Sequence, residues 1–348
     1  MNLRHHLLAG QVIPAHPLAL NQQRKFSEKH QRALMRYYLA AGVGGVAVGV
    51  HSTQFEIRDP QHGLFRPVLE LAAETAKTYL RQSSRDVAMI AGVCGLTAQA
   101  TAEAELARSL GYHAGLVSMA AFKTQPEEEI LAHMSAVANI IPVIGFYLQP
   151  AVGGRVFSYS FWRRFAEIPQ LVAIKIAPFN RYQTIDVVRA VAASGREDVA
   201  LYTGNDDTIV SDLLTPFTFN VDGRKVTRRI VGGLLGHWGV WTRAAVTLFQ
   251  QTQQAAKEAS ISREWLERAV AVTDMNAAVF DSANRFHGCI PGILEVLRRQ
   301  GLVETAHCLN PKEILSPGQA EELDRVSAAY PDLTDDTFIA QHRSEWLQ

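Results

Sequence analysis

A single lysine interrupts an apolar run near the middle of the chain. Lys175 lies within Leu171-Val172-Ala173-Ile174-Lys175-Ile176-Ala177, whose β-branched residues predict a buried strand of a parallel sheet. If the lysine stands at a strand end, its amine can simply reach solvent. If it is desolvated, its pKa is lowered, and the neutral amine can attack a carbonyl to form a Schiff base. Lys175 is therefore the first candidate catalytic residue.

A tyrosine ends the strand that is predicted before this run. Residues 139–147 form that strand, and Tyr147 is the candidate acid/base group. The alternative is a buried tyrosine whose hydroxyl has a structural hydrogen bond. After the run, the next predicted strand leads into the turn Gly204-Asn205-Asp206. In parallel sheets, residues at the carboxyl ends of the strands are the ones that carry chemistry.

These three segments resemble the dihydrodipicolinate synthase/N-acetylneuraminate lyase family of class I aldolases. The family has a tyrosine in a Tyr-Asn-x-Pro-like motif after barrel strand five, where this chain has Tyr147 and Pro150. Its Schiff-base lysine ends strand six, and a Gly-Asp/Asn-Asp turn follows strand seven. The separation between Tyr147 and Lys175 fits the family without a gap. The chain is identified as a divergent member over roughly residues 10–328.

The resemblance implies an imine mechanism. Lys175 would condense with a 2-oxo acid, either pyruvate or a pyruvate-yielding aldol, and Tyr147 would shuttle the proton of the aldol hydroxyl. The expected activity is therefore that of a Schiff-base aldolase or lyase without a metal or organic cofactor. A sugar-acid dehydratase that uses the same imine lysine is the alternative. A catalytically inactive binding or regulatory barrel also stays open, because a fold does not determine a function.

Four further residues are expected to bind substrate. The family holds the substrate carboxylate with a Gly-Thr-Thr-Gly-Glu motif after strand two, and this chain has His51-Ser52-Thr53-Gln54-Phe55-Glu56 there. Ser52 and Thr53 are the counterparts of the threonines, although both glycines are missing. An ordinary Ser/Thr-rich loop is the alternative. Gly204 and Gly233, at strands seven and eight, are also expected to contact substrate.

Two departures argue against one particular activity of the family. In dihydrodipicolinate synthases a tyrosine pair after strand four completes a proton relay, and Phe122 stands at the second position here. The family's arginine for the aldehyde substrate's carboxylate corresponds to Val152, while Arg155 lies three residues further on. We therefore expect the chain not to be a dihydrodipicolinate synthase.

The order of the elements predicts an α/β fold. Apolar strands alternate with amphipathic helices, as in a (β/α)8 TIM barrel with a C-terminal helical extension. The expected division is a catalytic barrel over residues 1–255 and a helical region over residues 256–348. Asp222-Gly223 lies between alternating apolar and polar residues over 216–228 and predicts a β-hairpin. The family has only a short connection there.

Composition excludes several classes of function. Lys plus Arg and Asp plus Glu both number 34, and no basic tract suggests nucleic acid as a partner. The three cysteines form no CxxC motif, and neither a signal peptide nor a membrane span is predicted. We expect a soluble cytoplasmic homodimer or homotetramer. A metal-dependent aldolase would need clustered ligands, and His16, His51 and His237 are the histidines roughly placed for it.

Overall fold

Strands and helices alternate along the chain. The computed structural model describes residues 1–81 and 83–348. The β-strands of these residues are β1 (Val12–Pro14), β2 (Gly45–Val48), β3 (Ala88–Val93), β4 (Ala114–Ser118), β5 (Val143–Leu148), β6 (Leu171–Ala177), β7 (Ala200–Thr203), β8 (Phe217–Val221), β9 (Arg224–Arg228) and β10 (Gly232–Leu235). Their α-helices are α1 (Leu3–Leu8), α2 (Glu28–Ala41), α3 (Phe65–Leu80), α4 (Thr97–Ser109), α5 (Glu127–Ala138), α6 (Tyr159–Phe165), α7 (Arg181–Ser194), α8 (Ile209–Leu214), α9 (Thr242–Ala255), α10 (Glu264–Val279), α11 (Cys289–Arg299), α12 (Gln319–Ala329) and α13 (Asp336–Trp346).

Eight strands of the described chain form one sheet, in the order β1-β10-β7-β6-β5-β4-β3-β2. Neighbouring strands from β3 to β7 are parallel, and so are β7 and β10. A parallel bridge between Ala15 and Ala47 joins the two ends of this order. The architecture is a (β/α)8 barrel followed by further helices, and the sequence prediction of the fold is confirmed.

The central strands are buried on both faces, as expected for a parallel sheet covered by helices. Within β6, Lys175 is the residue that retains partial exposure. The predicted strand over Leu171–Ala177 is confirmed as β6, and Lys175 lies within it, two residues before its end. The hairpin prediction is confirmed: β8 and β9 pair antiparallel, and Asp222 and Gly223 in the turn both have positive φ.

The chain divides into two compact units. The first comprises Met1–Gln11 and Ala88–Leu234, and it contains β3 to β9 together with α1 and α4 to α8. Within it, α6 lies very close to β5. A Cβ atom built on Gly145 would meet the Phe165 ring at 2.5 Å, so one face of β5 is in direct contact with this helix.

The second unit comprises Val12–Val87 and Leu235–Gln348. The Asp335 carboxylate accepts hydrogen bonds from the Tyr37 hydroxyl at 2.7 Å and the Arg243 N–H at 2.9 Å. These bonds tie the segment between α12 and α13 to α2 and α9, so the tail beyond the resemblance belongs to this unit. The division into a barrel over residues 1–255 and a helical region over 256–348 stays a prediction.

Candidate active site

Lys175 lies on the face of β6 opposite the one that contacts α6. It pairs with Phe146 on β5 and with Tyr202 on β7, and paired residues of parallel strands share a face. The Lys175 Nζ atom is 4.4 Å from the centre of the Phe146 ring. The opposite face contacts α6, through Gly145 and Phe165. In a (β/α)8 barrel, the face opposite the surrounding helices is the interior.

Gly204 makes room for the lysine side chain. It follows β7, and its N–H donates to the Ile176 carbonyl at 2.7 Å. A Cβ atom at this position would lie 2.6 Å from Lys175 Cε and 2.7 Å from Ala177 Cβ. These distances are shorter than van der Waals contact, so a glycine is required for this conformation of Lys175. The predicted proximity of Gly204 and Lys175 is present, while its contact with substrate stays a prediction.

Burial lowers the pKa of the Lys175 amine from its ordinary value of 10.5 to about 8. The Asp206 carboxylate, in the turn after Gly204, acts in the opposite direction and raises it. A substantial fraction of the amine is therefore neutral near physiological pH, whereas an ordinary lysine is almost fully protonated. Sequence reasoning identified the turn but gave Asp206 no role. The signal was its position, two residues after the glycine at a strand's carboxyl end.

Tyr147 lies on the other face of the same strand pair. It pairs with Ile176, and its ring centre is 4.9 Å from that of Trp162 on α6 and 6.0 Å from that of Phe157. Its buried hydroxyl has no hydrogen-bond partner among the described residues. Burial raises the pKa of this phenol from 10 to about 12. Although their separation fits the family, Tyr147 and Lys175 lie on opposite faces of the strand pair, and the role of Tyr147 in catalysis stays a prediction.

A β-bulge explains the difference. Val143 pairs with Leu171, and this register, if continued, would pair Tyr147 with Lys175. The register shifts between Val143 and Ile144, because Ile144 pairs with Ala173 and leaves one extra residue on β6. After a shift of one residue, each later side chain of β5 lies on the opposite face from the β6 residue with which it would otherwise have paired. Phe146 therefore takes the position beside Lys175.

Gly233 is not on the Lys175 face. It pairs with Thr203, whereas its neighbour Gly232 pairs with Tyr202. Since Tyr202 shares the face of Lys175, Gly233 belongs to the other one. Its N–H donates to the Gln11 carbonyl at 3.2 Å. The expected contact of Gly233 with substrate stays a prediction, and it would involve the backbone.

Ser52 and Thr53 lie in the second unit, in a short helical turn over His51–Thr53. Both are buried. The Ser52 hydroxyl donates to the Ala15 carbonyl at 2.9 Å, and the Thr53 hydroxyl donates to the His16 carbonyl at 2.7 Å. The two hydroxyls thus use their single protons to hold the chain after β1. Their proposed contact with a substrate carboxylate stays a prediction.

Phe122 and Arg155 have structural partners in the first unit. Phe122 is buried, and its ring centre is 4.6 Å from that of His133 on α5. The Arg155 guanidinium donates to the Gln125 carbonyl at 2.6 Å, and Lys123 donates to the Gly153 carbonyl at 2.9 Å. These two bonds cross-link the loops after β4 and β5, so both cations are already engaged with backbone carbonyls.

Metal-ligand clusters and membrane-spanning helices are absent from residues 1–81 and 83–348. No three or more His, Cys, Asp or Glu side chains there are grouped to hold a metal ion. Of the histidines considered for a metal-dependent aldolase, His16 and His237 are buried in the second unit, and His51 is exposed. None of the described helices combines the length and hydropathy needed to cross a membrane.

Comparison with known proteins assigns a family. The model of the dihydrodipicolinate synthetase family matches residues 9–218. Among curated relatives, the 4-hydroxy-tetrahydrodipicolinate synthase of Thiobacillus denitrificans is 26% identical over 187 residues, which are 53% of this chain and 58% of that protein. The same enzyme of Dechloromonas aromatica is 30% identical over 131 residues, which are 36% of this chain and 43% of that protein. The chain thus spans about half the length of the curated relatives it matches.

Solved structures share the fold over nearly the whole chain. A dihydrodipicolinate synthase from Agrobacterium tumefaciens superposes with a TM-score of 0.73 at 18% identity, covering 94% of this chain and 99% of that one. An N-acetylneuraminate lyase from Fusobacterium nucleatum superposes with a TM-score of 0.70 at 17% identity, covering 93% and 99%. With the family model matching well over half of its residues, the chain belongs to the dihydrodipicolinate synthetase family.

Proposed function

We propose that the protein is a class I, Schiff-base-forming lyase that acts on a 2-oxo acid. The observation that carries this proposal is the Lys175 amine, whose pKa is lowered to about 8 on the face of β6 opposite α6. A lysine with these properties is a nucleophile for carbonyl groups. The family and the curated relatives named above support the same class of chemistry.

The first step forms the imine. The neutral Lys175 amine adds to the C2 carbonyl carbon of the 2-oxo acid, and the carbonyl π electrons move to oxygen. Loss of water from this adduct leaves a C=N bond, which takes up a proton. The reaction requires the amine to be neutral, and the lowered pKa of Lys175 supplies that form near pH 7 to 8. As written, this chemistry uses neither a metal nor an organic cofactor.

The second step breaks the aldol bond. The C3–C4 electron pair moves into the protonated imine and gives an enamine, while the C4 hydroxyl loses its proton and becomes the aldehyde carbonyl. The enamine then regains a proton at C3, and water releases pyruvate and the free amine. The Asp206 carboxylate acts electrostatically on Lys175, so we assign it the proton transfer in preference to Tyr147, which faces α6.

The proposed acceptor aldehyde is less acidic or bulkier than aspartate semialdehyde. Phe122 has no proton to transfer, and Arg155 is bonded to a backbone carbonyl. Loss of a charge-assisted contact costs on the order of a few kcal/mol, or roughly a hundredfold in rate. We therefore expect no appreciable dihydrodipicolinate synthase activity in a coupled assay with pyruvate and aspartate semialdehyde. Turnover at the rate of an ordinary biosynthetic enzyme would contradict this exclusion.

Reductive trapping tests the proposal directly. The protein is incubated with a panel of 2-oxo acids and sugar acids, borohydride is added, and the adduct is located by intact and peptide mass spectrometry. We expect one adduct, on the peptide that contains Lys175, with pyruvate among the trapped compounds. Lys123 in the same unit is the internal control, because it is exposed and bonded to Gly153. An absence of adducts with every compound, or labelling away from Lys175, would overturn the enzyme proposal.

The products of the trapped compounds separate aldol cleavage from dehydration. A lyase releases an aldehyde together with the 2-oxo acid, whereas a dehydratase releases water and keeps the carbon chain intact. We further propose a homo-oligomer with the dimer as its smallest form. Light scattering at micromolar concentration tests this, and a monomer alone would contradict it.

A further inference from the structure

A buried polar cluster lies behind the turn that contacts Lys175. It consists of Thr184 on α7, Thr203 on β7, Asn205 in the turn and Asp212 on α8, and we name it the Asp212 cluster. All four residues are buried in the first unit, with 0 to 2% of their surface exposed. The Asp212 carboxylate accepts from the Thr203 hydroxyl at 2.7 Å and from the Asn205 amide at 3.0 Å.

Asn205 connects this cluster to the loop after β6. Its Nδ2 atom donates to Asp212 Oδ2 and also to Thr184 Oγ1 at 3.1 Å, while its Oδ1 atom accepts the Phe179 N–H at 3.0 Å. Its own N–H donates to the Thr203 hydroxyl at 3.1 Å. Both protons of the amide and its carbonyl oxygen are therefore engaged, which determines the orientation of this side chain.

The residues on either side of Asn205 are the ones that meet the lysine. Gly204 lies immediately before it and packs against the Lys175 side chain, and Asp206 follows it and acts electrostatically on the amine. A displacement of Asn205 must therefore change both the packing against Lys175 and the position of the nearby carboxylate. The geometry links a buried acid on α8 to the reactive lysine on β6.

We propose that Asp212 is a positioning residue that, through Asn205, holds the Gly204–Asp206 turn against the Lys175 side chain. Asp212 does not touch the reacting atoms. It acts by keeping the Gly204–Asp206 turn, which packs against the Lys175 side chain, in one conformation. The inference deepens the proposed function, on which it rests for the catalytic role of Lys175.

Arg181 stabilises the negative charge of Asp212. Burial raises the pKa of this carboxyl, and its hydrogen bonds and the nearby Arg181 guanidinium oppose that change. Arg181 forms an ion pair with Asp212, donates to Thr215 Oγ1 at 3.1 Å and lies 4.9 Å from the Phe217 ring centre. Phe217 begins the β8–β9 hairpin, so Arg181 connects this hairpin to the Asp212 cluster.

Several other charged groups belong to the elements that pack against β6. On the strands beside Lys175, Tyr202 shares its face, and Tyr147 lies on the opposite one. The remaining titratable or charged side chains of α1, α7 and the turn after β7 are Arg4, His5, His6, Arg181, Tyr182, Asp186, Arg189, Asp206 and Asp207. Of these, Asp206 is the group that acts on the pKa of Lys175.

Competitive labelling tests the proposal without requiring activity. The full-length protein is treated with a trace of acetic anhydride over a range of pH, and peptide mass spectrometry gives the apparent pKa and reactivity of Lys175. Asp212→Asn keeps the size of the side chain but removes its charge. We expect the turn to loosen and water to reach the amine, because burial is the largest cause of the lowered pKa. The Lys175 pKa should rise by about one unit, and its labelling at pH 7 should fall about tenfold.

The controls separate positioning from general stability. Glu128→Gln neutralises the acid of an exposed ion pair with Arg164 in the same unit and should leave the Lys175 pKa unchanged. Thr203→Val removes one bond to Asp212 and the acceptor of the Asn205 N–H. It should also raise the Lys175 pKa, so the test remains decisive if Asp212→Asn does not fold. A Lys175 pKa that is unchanged or lowered in the folded variants would overturn the proposal. Failure of the wild-type protein to trap pyruvate would instead overturn the proposed function. The labelling experiment could still be interpreted, because it does not require activity.

Discussion

The two faces of the β5–β6 strand pair contrast sharply. On one face, Lys175 lies beside Phe146, and its amine has a pKa lowered to about 8. On the other, Tyr147 packs against Trp162, and its phenol has a pKa raised to about 12. Burial is the largest cause of both shifts, because a poorly solvated environment disfavours whichever form is charged.

The same physical effect has opposite chemical consequences. For lysine, the neutral form is the nucleophile, so burial creates reactivity near neutral pH. For tyrosine, the neutral form is the ordinary one, and a higher pKa moves the phenol further from the range where it exchanges protons readily. The comparison predicts that the Lys175 face carries the chemistry and that the Tyr147 face stabilises the fold.

The largest expected effect comes from Lys175→Arg. Arginine keeps the positive charge but cannot become neutral, so it cannot form an imine. We expect borohydride trapping to disappear and turnover to fall on the order of a thousandfold or more. Lys123→Arg is the matched control and should retain full trapping. Residual trapping with Lys175→Arg would show that another amine is the nucleophile.

Gly204→Ala should produce the next largest effect. The added methyl group would lie 2.6 Å from Lys175 Cε, so the lysine side chain or the turn must move. We expect the rate of trapping to fall roughly a hundredfold, since displacement of a reacting group by about 1 Å has a cost of this size. Gly195→Ala, at the end of α7, meets no atom within 4 Å but has a φ of 71°. It should lower the melting temperature without changing trapping, and an equal loss of trapping in both variants would contradict the steric explanation.

Asp206→Asn should change the pH dependence. In the wild type, trapping should increase with pH and level off above about 8, because only the neutral Lys175 amine attacks. Removal of the Asp206 charge removes the influence that raises the Lys175 pKa, so the midpoint should move to lower pH. Turnover should fall roughly tenfold to a hundredfold if Asp206 also transfers the proton. A midpoint that does not move would show that Asp206 is remote from the amine in solution.

Tyr147→Phe should have the smallest effect. The hydroxyl is buried without a partner among the described residues and faces α6, so its removal should change turnover by less than about threefold. Stability should be unchanged or slightly higher, because an unsatisfied buried hydroxyl is costly. A hundredfold loss of turnover in Tyr147→Phe, together with nearly normal turnover in Asp206→Asn, would contradict the assignment of the chemistry to the Lys175 face alone. It would mean that Tyr147 transfers the proton of the aldol hydroxyl, as the family resemblance implies.

Much of the fold could be predicted from local patterns. β-branched apolar runs and the helices between them predicted the parallel barrel, and Asp222-Gly223 predicted the hairpin. Such signals are visible in the sequence because each reflects a short-range requirement, either alternation of faces or a turn with positive φ. Lys175 was also identifiable in this way, since a charged residue within a buried strand is rare.

The relation between Lys175 and Tyr147 depended on tertiary structure. Their spacing in the sequence fits the family without a gap, but the bulge between Val143 and Ile144 shifts the pairing by one residue and places them on opposite faces. Whether two strands pair with or without an extra residue depends on how both pack against their helices, and no local pattern records it. The Asp212 cluster was invisible for the same reason. Asn205 belongs to the turn that the sequence identified, but nothing in the sequence connects it to Thr184 or Asp212. Only the packing of α7 and α8 around β7 brings the three side chains together.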